Sequence, residues 1–269
     1  MGTAMAFDAG GGHGPSAMAA LVGALLIQVG TNFANDYFDY VKGTDAEGRA
    51  GPTRVTQAGL IAPGTMWKAT VLVFLLALVP GTYIVWRGGW PFVVIGISSI
   101  LFAVLYTGGP LPLGYLGLGD VLVLVFFGPV AVGGTYYLQA FSTNWTAITA
   151  GLAPGLFSVA ILTVNNLRDI EGDRRAGKRT LAVRFGVVFA RLEYLLSIVF
   201  AGVVIPLVLC AFTRGHWFAL SSLLTALLAV PILRTVFKTN EGLALNEVLA
   251  RTGQLLLLFG VLFSVGWLL

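Results

Sequence analysis

The sequence predicts an all-α fold, a polytopic bundle of about eight transmembrane helices. Of its 269 residues, 57% are hydrophobic and only 10% are charged, whereas an ordinary globular domain carries about 25% charged residues. Apolar segments of the roughly 17–25 residues that cross a bilayer recur along the whole chain. Lipid rather than water is therefore expected to surround most of the protein surface.

Eight such segments can be placed in order along the chain. They are 16–38, 66–86, 90–107, 119–138, 145–167, 187–212, 217–237 and 249–269. No polar region between them is long enough for a soluble domain, so residues 16–269 are predicted to form one transmembrane domain. The glycine-rich residues 1–15 have neither the preceding strand nor the Lys-Ser/Thr pair of a phosphate loop, and a flexible N-terminal segment is expected there.

Basic residues are concentrated on one side of this predicted bundle. If the segments alternate in direction, 14 of the 16 Lys and Arg residues follow the first, third, fifth and seventh segments, and only Arg87 and Arg214 lie on the other side. This asymmetry marks the cytoplasmic side of a cell (plasma) membrane protein. Membrane topology also accounts for the net charge of +4, so no nucleic-acid partner is predicted, and no protein partner is indicated.

A first group of polar residues lies at the cytoplasmic end of the first segment. Asn32 and Asp36 are four residues apart and Asp36 and Asp39 are three apart, with Asn35 next to Asp36, which places them close together on a continuing helix. Carboxylates at this depth are unfavourable because the membrane boundary and the C-terminal end of a helix both disfavour negative charge. A bound cation would offset that cost.

A second group lies at the end of the fifth segment, where Asn165, Asp169 and Asp173 step by four residues. If the helix continues, they too share one face. The corresponding positions of the two groups suggest an internal repeat with a shared site. Because Mg²⁺ prefers oxygen ligands, Asp36, Asp39, Asp169 and Asp173 are predicted to bind Mg²⁺.

Basic residues beside the acidic groups indicate a phosphate-containing partner. Arg168, Lys178 and Arg179 accompany the second group, and Lys42 and Arg54 follow the first. These side chains are suited to hold a diphosphate, with Asn32, Asn35 and Asn165 completing the predicted diphosphate site. Ordinary juxtamembrane charges and salt bridges are the alternative, but the matching of two distant groups favours a site.

Four motifs carry a resemblance to a known family. They are Asn35-Asp36-Tyr37-x-Asp39-x-x-Lys42-Gly43-x-Asp45, Gly51-Pro52-x-Arg54-x-x-Gln57-x-Gly59, Tyr115-x-Gly117-Leu118-Gly119-Asp120 and Asn165-Asn166-x-Arg168-Asp169. The sequence resembles the UbiA superfamily of intramembrane prenyltransferases, and within it the 1,4-dihydroxy-2-naphthoate polyprenyltransferases of menaquinone synthesis. The resemblance implies nine spans around a central cavity, so the family's first helix is expected to be absent from this chain.

The resemblance also implies an activity. A Mg²⁺-bound polyprenyl diphosphate would alkylate 1,4-dihydroxy-2-naphthoate, with loss of carboxylate to give demethylmenaquinone. Tyr106, together with Tyr37 and Tyr115, is a candidate to steady the allylic cation. Asp120 either orients or deprotonates the acceptor or satisfies the start of its helix.

Two alternatives remain open at this stage. One is a related enzyme with another aromatic acceptor such as 4-hydroxybenzoate. The other is a membrane transporter, although transporters place charges near the middle of the bilayer, and here the charges gather at one face.

Overall fold

The computed structural model describes residues 1–43, 51, 54–110 and 112–269, and the regular secondary structure of these residues is entirely helical. Twelve α-helices are present in this part of the chain: α1 Gly2–Asp8, α2 Gly14–Lys42, α3 Pro63–Gly88, α4 Trp90–Thr107, α5 Gly119–Val125, α6 Ala131–Ala140, α7 Trp145–Arg168, α8 Ile170–Arg175, α9 Leu181–Val199, α10 Ile205–Thr213, α11 Leu224–Lys238 and α12 Gly242–Leu268. The π-helical segments Phe126–Val130 and Phe200–Val204 join α5 to α6 and α9 to α10, and a 3₁₀ helix, Trp217–Leu223, leads into α11. The all-α prediction is confirmed.

Eight helical stretches of the described chain are long and apolar enough to cross a membrane. They are Gly14–Lys42, Pro63–Gly88, Trp90–Thr107, Gly119–Ala140, Trp145–Arg168, Leu181–Thr213, Trp217–Lys238 and Gly242–Leu268. Each contains or overlaps one predicted segment, and most extend beyond it because polar end residues continue the helix. The protein is therefore a multi-pass integral membrane protein, as predicted.

The chain divides into two compact units. The larger unit comprises residues 1–13, 120–168 and 184–269, and the smaller unit comprises residues 14–119 and 169–183. The predicted single domain over residues 16–269 and its central cavity stay predictions.

Helix α7 forms the core of the larger unit, where it packs against the π-helical segment Phe126–Val130, against α10 and against α12. Small residues allow its closest approach. A Cβ atom added to Gly151 would lie 2.7 Å from the carbonyl oxygen of Gly128, and one added to Gly155 would lie 2.6 Å from that of Leu124. Close backbone contact through small residues is typical of membrane helix packing.

Helix α1 belongs to the core of the larger unit. Its residues Ala4, Met5 and Ala6 are buried, and the helix packs against α6 and α12. The expectation of a flexible N-terminal segment is therefore wrong for residues 2–8. The physical reason is that these small, apolar side chains fit closely between neighbouring helices, which the glycine-rich composition of the segment concealed.

In the smaller unit, α2 packs along α3 and also contacts α4. Gly30 of α2 lies against the ring of Phe74 of α3, where an added Cβ would come within 2.6 Å of Cε1. Nearer the end of α2, the rings of Tyr37 and Phe38 pack with that of Trp67, at centroid distances of 5.2 and 5.9 Å. These contacts fix the rotation of the helix that carries the first acidic group.

Four exposed tryptophans lie at or near helix ends. Trp86 and Trp90 flank the α3–α4 connection, Trp145 begins α7, and Trp217 begins the 3₁₀ helix. Amphipathic tryptophan rings favour the interface between lipid and water. Their positions agree with helices that end at a membrane boundary.

Candidate active site

Helix α2 brings two carboxylates into the interior of the smaller unit. Asp36 is 6% exposed and Asp39 is 2% exposed, whereas Asn32 is exposed and Asn35 is partly buried. A buried carboxylate is strongly unfavourable unless it is hydrogen-bonded or paired with a cation. The partners of Asp36 and Asp39 therefore define the site.

Asp36 is held by Thr56, in the connection between α2 and α3. Its Oδ2 accepts hydrogen bonds from the Thr56 hydroxyl at 3.1 Å and from the Thr56 backbone N–H at 3.4 Å. Its Oδ1 is buried and has no hydrogen-bond partner among the described residues. An unpaired buried carboxylate oxygen of this kind is suited to coordinate a cation.

Asp39 contacts three groups from other parts of the smaller unit. The Tyr115 hydroxyl donates to its Oδ1 at 2.8 Å, the Arg54 guanidinium lies 3.3 Å from its Oδ2, and the Lys178 ammonium lies 3.6 Å from its Oδ1. These contacts compensate the charge of a carboxylate that is almost completely buried.

Lys178 joins the two acidic groups. Its Nζ lies 3.6 Å from Oδ1 of Asp39 and 3.6 Å from Oδ1 of Asp173. Lys178 therefore brings Asp39 and Asp173 of the two distant motifs together, and their common role in a binding site stays a prediction. Two carboxylates beside one ammonium group, with Arg54 adjacent, form a region of concentrated charge that could bind both a metal ion and an anion.

The end of α8 explains the position of Lys178. Gly177 has a φ of +72°, a conformation that glycine adopts readily and that commonly terminates helices. The chain reverses there, and the backbone N–H of Lys178 donates to the carbonyl of Asp173 at 2.8 Å. The turn thereby returns Lys178 to the side chain of Asp173.

Asp169 lies at a break between helices. Helix α7 ends at Arg168 and α8 begins at Ile170, while Asp169 itself has φ −96° and ψ 7°. The expectation that Asn165, Asp169 and Asp173 lie along one continuous helical face is therefore wrong. Asp169 instead precedes α8, and its carbonyl accepts a hydrogen bond from the Asp173 N–H at 2.8 Å.

Lys42 binds backbone carbonyls at the end of α4. Its Nζ donates to Thr107 at 2.6 Å and to Gly109 at 3.4 Å, and it also lies 4.9 Å from the centre of the Tyr115 ring. Cations favour the C-terminal end of a helix. Asn35 is attached to the same place, because its Oδ1 accepts a hydrogen bond from the Thr107 hydroxyl at 2.9 Å.

Arg168 and Asn165 lie in the larger unit. The Arg168 guanidinium, which is buried, donates to Oδ1 of Asn165 and to Oδ1 of Asn246, each at 2.7 Å. The contact between Asn246 and Arg168 was not predicted from the sequence. The three side chains form a rigid polar group.

Tyr106 and Arg179 contact the loop of residues 112–118, which carries Tyr115. The Tyr106 ring lies against Gly114, since an added Cβ there would come within 2.9 Å of Cε1. The backbone N–H of Arg179 donates to the carbonyl of Tyr115 at 2.8 Å, and the Arg179 side chain is exposed. Both predicted site residues therefore support the position of Tyr115.

Asp120 lies in the larger unit, at the start of α5. It is 8% exposed, and its Oδ1 has no hydrogen-bond partner within the described chain. Glu193 of α9 is partly buried within electrostatic range of Asp120. Glu193 was not predicted as a site residue, because it lies in an apolar segment distant in sequence from both acidic groups.

The residues present fit a magnesium ion that also binds a phosphate. The described residues contain no group of three or more His, Cys, Asp or Glu side chains that could hold a metal by themselves. Mg²⁺, however, is typically bound by one or two carboxylates and completes its octahedron with waters and substrate phosphate. Oδ1 of Asp36, which has no hydrogen-bond partner among the described residues, is a suitable protein ligand. The carboxylates of Asp39 and Asp173, which both lie beside Lys178, are suitable as well.

Thr56 was not identified from the sequence, the role of Tyr115 was identified only in part, and two named motif positions lie outside the described residues. Thr56 was missed because a threonine in a loop carries no signal of its buried partner. Tyr115 was predicted to contribute only its ring, whereas its hydroxyl binds Asp39. Asp45 and Pro52, quoted in the motifs above, fall in the residues that the structure does not describe.

The fold and the site together define a class of protein, a multi-pass helical membrane protein in which two acidic motifs meet beside basic side chains. The sequence matches the UbiA prenyltransferase family over residues 1–256. The chain therefore belongs to the UbiA prenyltransferase family, and the family prediction is confirmed.

Curated relatives and one solved structure are similar to the chain. It is 38% identical to a 1,4-dihydroxy-2-naphthoate octaprenyltransferase of Haemophilus influenzae, over 93% of this chain and 82% of the relative. It is also 38% identical to the Escherichia coli protein of the same name, over 99% and 88% of the respective chains. A solved digeranylgeranylglyceryl phosphate synthase shares the fold, with a TM-score of 0.58 at 17% identity, covering 94% of this chain and 86% of that one.

Proposed function

We propose that the protein transfers a polyprenyl group from a polyprenyl diphosphate to 1,4-dihydroxy-2-naphthoate in menaquinone biosynthesis, in a Mg²⁺-dependent reaction. The single observation that carries this proposal is the contact of Lys178 with both Asp39 and Asp173, each at 3.6 Å. That contact brings together carboxylates for a metal ion and a cation for phosphate. The names of the two curated relatives supply the acceptor.

The proposed metal ligands are Asp36, Asp39, Asp169 and Asp173. Asp36 offers a buried oxygen that has no hydrogen-bond partner in the described part of the chain, and Thr56 fixes the orientation of its carboxylate. The Tyr115 hydroxyl orients Asp39 in the same way. When bound, Mg²⁺ would offset the negative charge that develops on the leaving diphosphate.

The proposed diphosphate site includes Lys178, Arg54, Lys42 and Arg179. Lys178 and Arg54 already lie at the carboxylates of the smaller unit, so they can hold phosphate oxygens beside the metal ligands. Lys42 would first have to leave the carbonyls of Thr107 and Gly109. The remaining residues proposed for this site are Asn32, Asn35, Asn165 and Arg168.

The chemical step requires that the allylic C–O bond breaks and that the diphosphate leaves with its electron pair. The ring carbon that bears the carboxylate then bonds to C1 of the prenyl group, and its bond to the carboxylate breaks, which releases CO₂ and returns the electron pair to the ring to give the prenylated diol. The aromatic faces of Tyr106, Tyr37 and Tyr115 would stabilise positive charge on the allylic carbon. Water must be excluded, because it would capture the same carbon.

Asp120 is proposed to bind or deprotonate the hydroxyl group of the acceptor. A buried carboxylate oxygen with no protein partner can accept a hydrogen bond from a phenolic hydroxyl or take its proton. This role is supported by the burial of Asp120 and by its Oδ1, which has no hydrogen-bond partner among the residues that the structure describes.

The proposed location is the cell (plasma) membrane, with the active site toward the cytoplasm. The support for this orientation is the position of Lys42, Arg54 and Lys178 beside the acidic groups, since cytoplasmic connections are enriched in basic residues. A reporter fused after Leu269 would test the predicted orientation of the last helix.

A transfer assay tests the proposed function directly. The full chain in lipid nanodiscs is incubated with Mg²⁺, a labelled polyprenyl diphosphate and, in separate reactions, 1,4-dihydroxy-2-naphthoate, 4-hydroxybenzoate or homogentisate. We expect a prenylated, decarboxylated product from the naphthoate alone, and its loss when EDTA removes the metal. Prenylation of 4-hydroxybenzoate instead would refute the proposed acceptor, and undiminished activity in EDTA would refute the metal role.

A further inference from the structure

Lys178 occupies the position that links the two acidic motifs. Its side chain is 17% exposed, and its Nζ is equidistant, at 3.6 Å, from Oδ1 of Asp39 and Oδ1 of Asp173. We propose that Lys178 is a displaceable counter-ion, which holds these carboxylates before the metal binds and moves to the diphosphate when the metal replaces it. This inference rests on the proposed function, since it assumes that a divalent metal and a diphosphate share this site.

The distances from the Lys178 ammonium to the two carboxylates favour its replacement by a metal ion. A tight charge-assisted hydrogen bond between nitrogen and oxygen measures about 2.7–2.9 Å, and both Lys178 contacts are longer. The ammonium therefore compensates two carboxylates without forming a short bond to either of these oxygens. A divalent cation, with twice the charge, can displace it at moderate cost.

Tyr115 keeps the displaced ammonium within the site. The Nζ of Lys178 lies 4.8 Å from the centre of the Tyr115 ring, and the hydroxyl of the same residue fixes Asp39 at 2.8 Å. A cation over a tyrosine face is attracted by the ring. The ring thus attracts Lys178 in addition to the two carboxylates.

The charges around Tyr115 favour an incoming anion. Lys42 lies over the same ring, at 4.9 Å from its centre, and Arg54 contacts Asp39. When a metal ion neutralises Asp39 and Asp173, these cations and Lys178 are left close together, and their mutual repulsion is relieved by a diphosphate. Metal binding and diphosphate binding should therefore strengthen each other, as linkage requires.

The test compares metal affinity with and without the lysine charge. Mn²⁺ binding to the full chain in detergent, in the absence of any diphosphate, is measured from the electron paramagnetic resonance signal of the free ion. In Lys178→Met the competing ammonium is gone, so we expect Mn²⁺ to bind about three- to tenfold more tightly, the range set by two partly buried ion pairs. Binding of the unreactive farnesyl thiodiphosphate at saturating Mg²⁺ should weaken by a similar factor.

The controls separate exchange from simpler roles. Lys178→Arg retains the charge and should keep the Mn²⁺ affinity of the parent protein. Arg175→Met removes a charge from the exposed side of α8 and should leave both affinities within about twofold, because exposed charges are screened. Thermal unfolding verifies that each variant is folded.

The results for Lys178→Met distinguish exchange from two other roles of the lysine. An unchanged Mn²⁺ affinity in Lys178→Met, with weaker thiodiphosphate binding, would make Lys178 an ordinary phosphate ligand and overturn the exchange. Weaker binding of both would indicate a structural role and also overturn it. If the parent protein bound neither Mn²⁺ nor farnesyl thiodiphosphate, the proposed function itself would fail, and the inference with it.

Discussion

The hydroxyl of Tyr115 donates a hydrogen bond of 2.8 Å to Oδ1 of Asp39. Tyr115 lies in the loop that follows α4, and Asp39 lies in the last turn of α2. The bond therefore joins two segments separated by 76 positions in the sequence. It also leaves the Tyr115 ring beside Lys42 and Lys178.

Tyr115→Phe should impair diphosphate use while the ring remains in place. A hydrogen bond to a charged group contributes about 1.5–3 kcal/mol, so we expect kcat/KM for the prenyl diphosphate to fall about tenfold or more. Tyr83→Phe, in α3 beside Trp86, is the matched control and should be silent. Equal kinetics for the two variants would exclude a role for the Tyr115 hydroxyl.

Replacing Asp36 or Asp169 with alanine should abolish Mg²⁺-dependent transfer. Loss of a metal ligand removes stabilisation of the leaving group, and we expect turnover to fall by about 100-fold or more. Glu171→Ala, an exposed acid of α8 paired with Arg174, serves as the control. Near-normal turnover in both aspartate variants, measured with labelled prenyl diphosphate, would disprove the proposed metal ligands.

Thr56→Val should disturb Asp36 alone. Valine matches the shape of threonine but lacks the hydroxyl that donates to Oδ2 at 3.1 Å. Because Asp36 is buried, losing that donor costs about 1–3 kcal/mol, and the Mg²⁺ concentration for half-maximal turnover should rise about tenfold. Thr56→Ser keeps the hydroxyl and should restore the parent value; failure to do so would implicate packing.

Arg168→Lys should destabilise the larger unit. A lysine cannot reproduce the fixed fork that reaches both Asn165 and Asn246 at 2.7 Å. The expected loss is about 1–3 kcal/mol of unfolding free energy, measured by chemical denaturation in detergent. The exposed pair of Arg174 and Glu171 provides the comparison, and Arg174→Lys should change stability by under about 0.5 kcal/mol.

Asp120→Asn should separate acceptor chemistry from diphosphate binding. If Asp120 takes the proton of the acceptor hydroxyl, turnover should fall about 100-fold, while the affinity for farnesyl thiodiphosphate stays the same. Glu247→Gln, which alters an exposed acid of α12 paired with Arg251, is the control. Unaltered turnover in Asp120→Asn would leave Asp120 only the role of satisfying the start of α5.

Much of the architecture could be predicted because lipid imposes simple requirements on length and polarity. Each predicted segment matches a helix, and Asp39 and Asp173 both lie beside Lys178, in agreement with the corresponding positions of the two acidic groups in the sequence. Side-chain partners were harder to predict. Thr56 and Asn246 have ordinary neighbours in the sequence, and their importance follows only from contacts made across 20 and 78 positions.

Local backbone geometry was also difficult to predict from the sequence. The four-residue steps from Asn165 to Asp173 fit an uninterrupted helix, but the chain breaks at Asp169. Position 169 is neither proline nor glycine, the residues that most often mark the end of a helix, so the sequence pattern alone could not predict the break. Lys42 illustrates the same difficulty, because its position among basic residues suggested phosphate and its contacts are carbonyl oxygens.

The tryptophan positions determine what optical spectroscopy can detect in this protein. Four of the six indoles are exposed at helix ends, and Trp267 is stacked on His216. Trp67 is also exposed, but its ring packs on that of Tyr37, the residue next to Asp36. With Trp86, Trp90, Trp145 and Trp217 changed to phenylalanine, the remaining fluorescence would come from Trp67 and Trp267, and a change on substrate addition at the end of α2 would be sensed through Trp67.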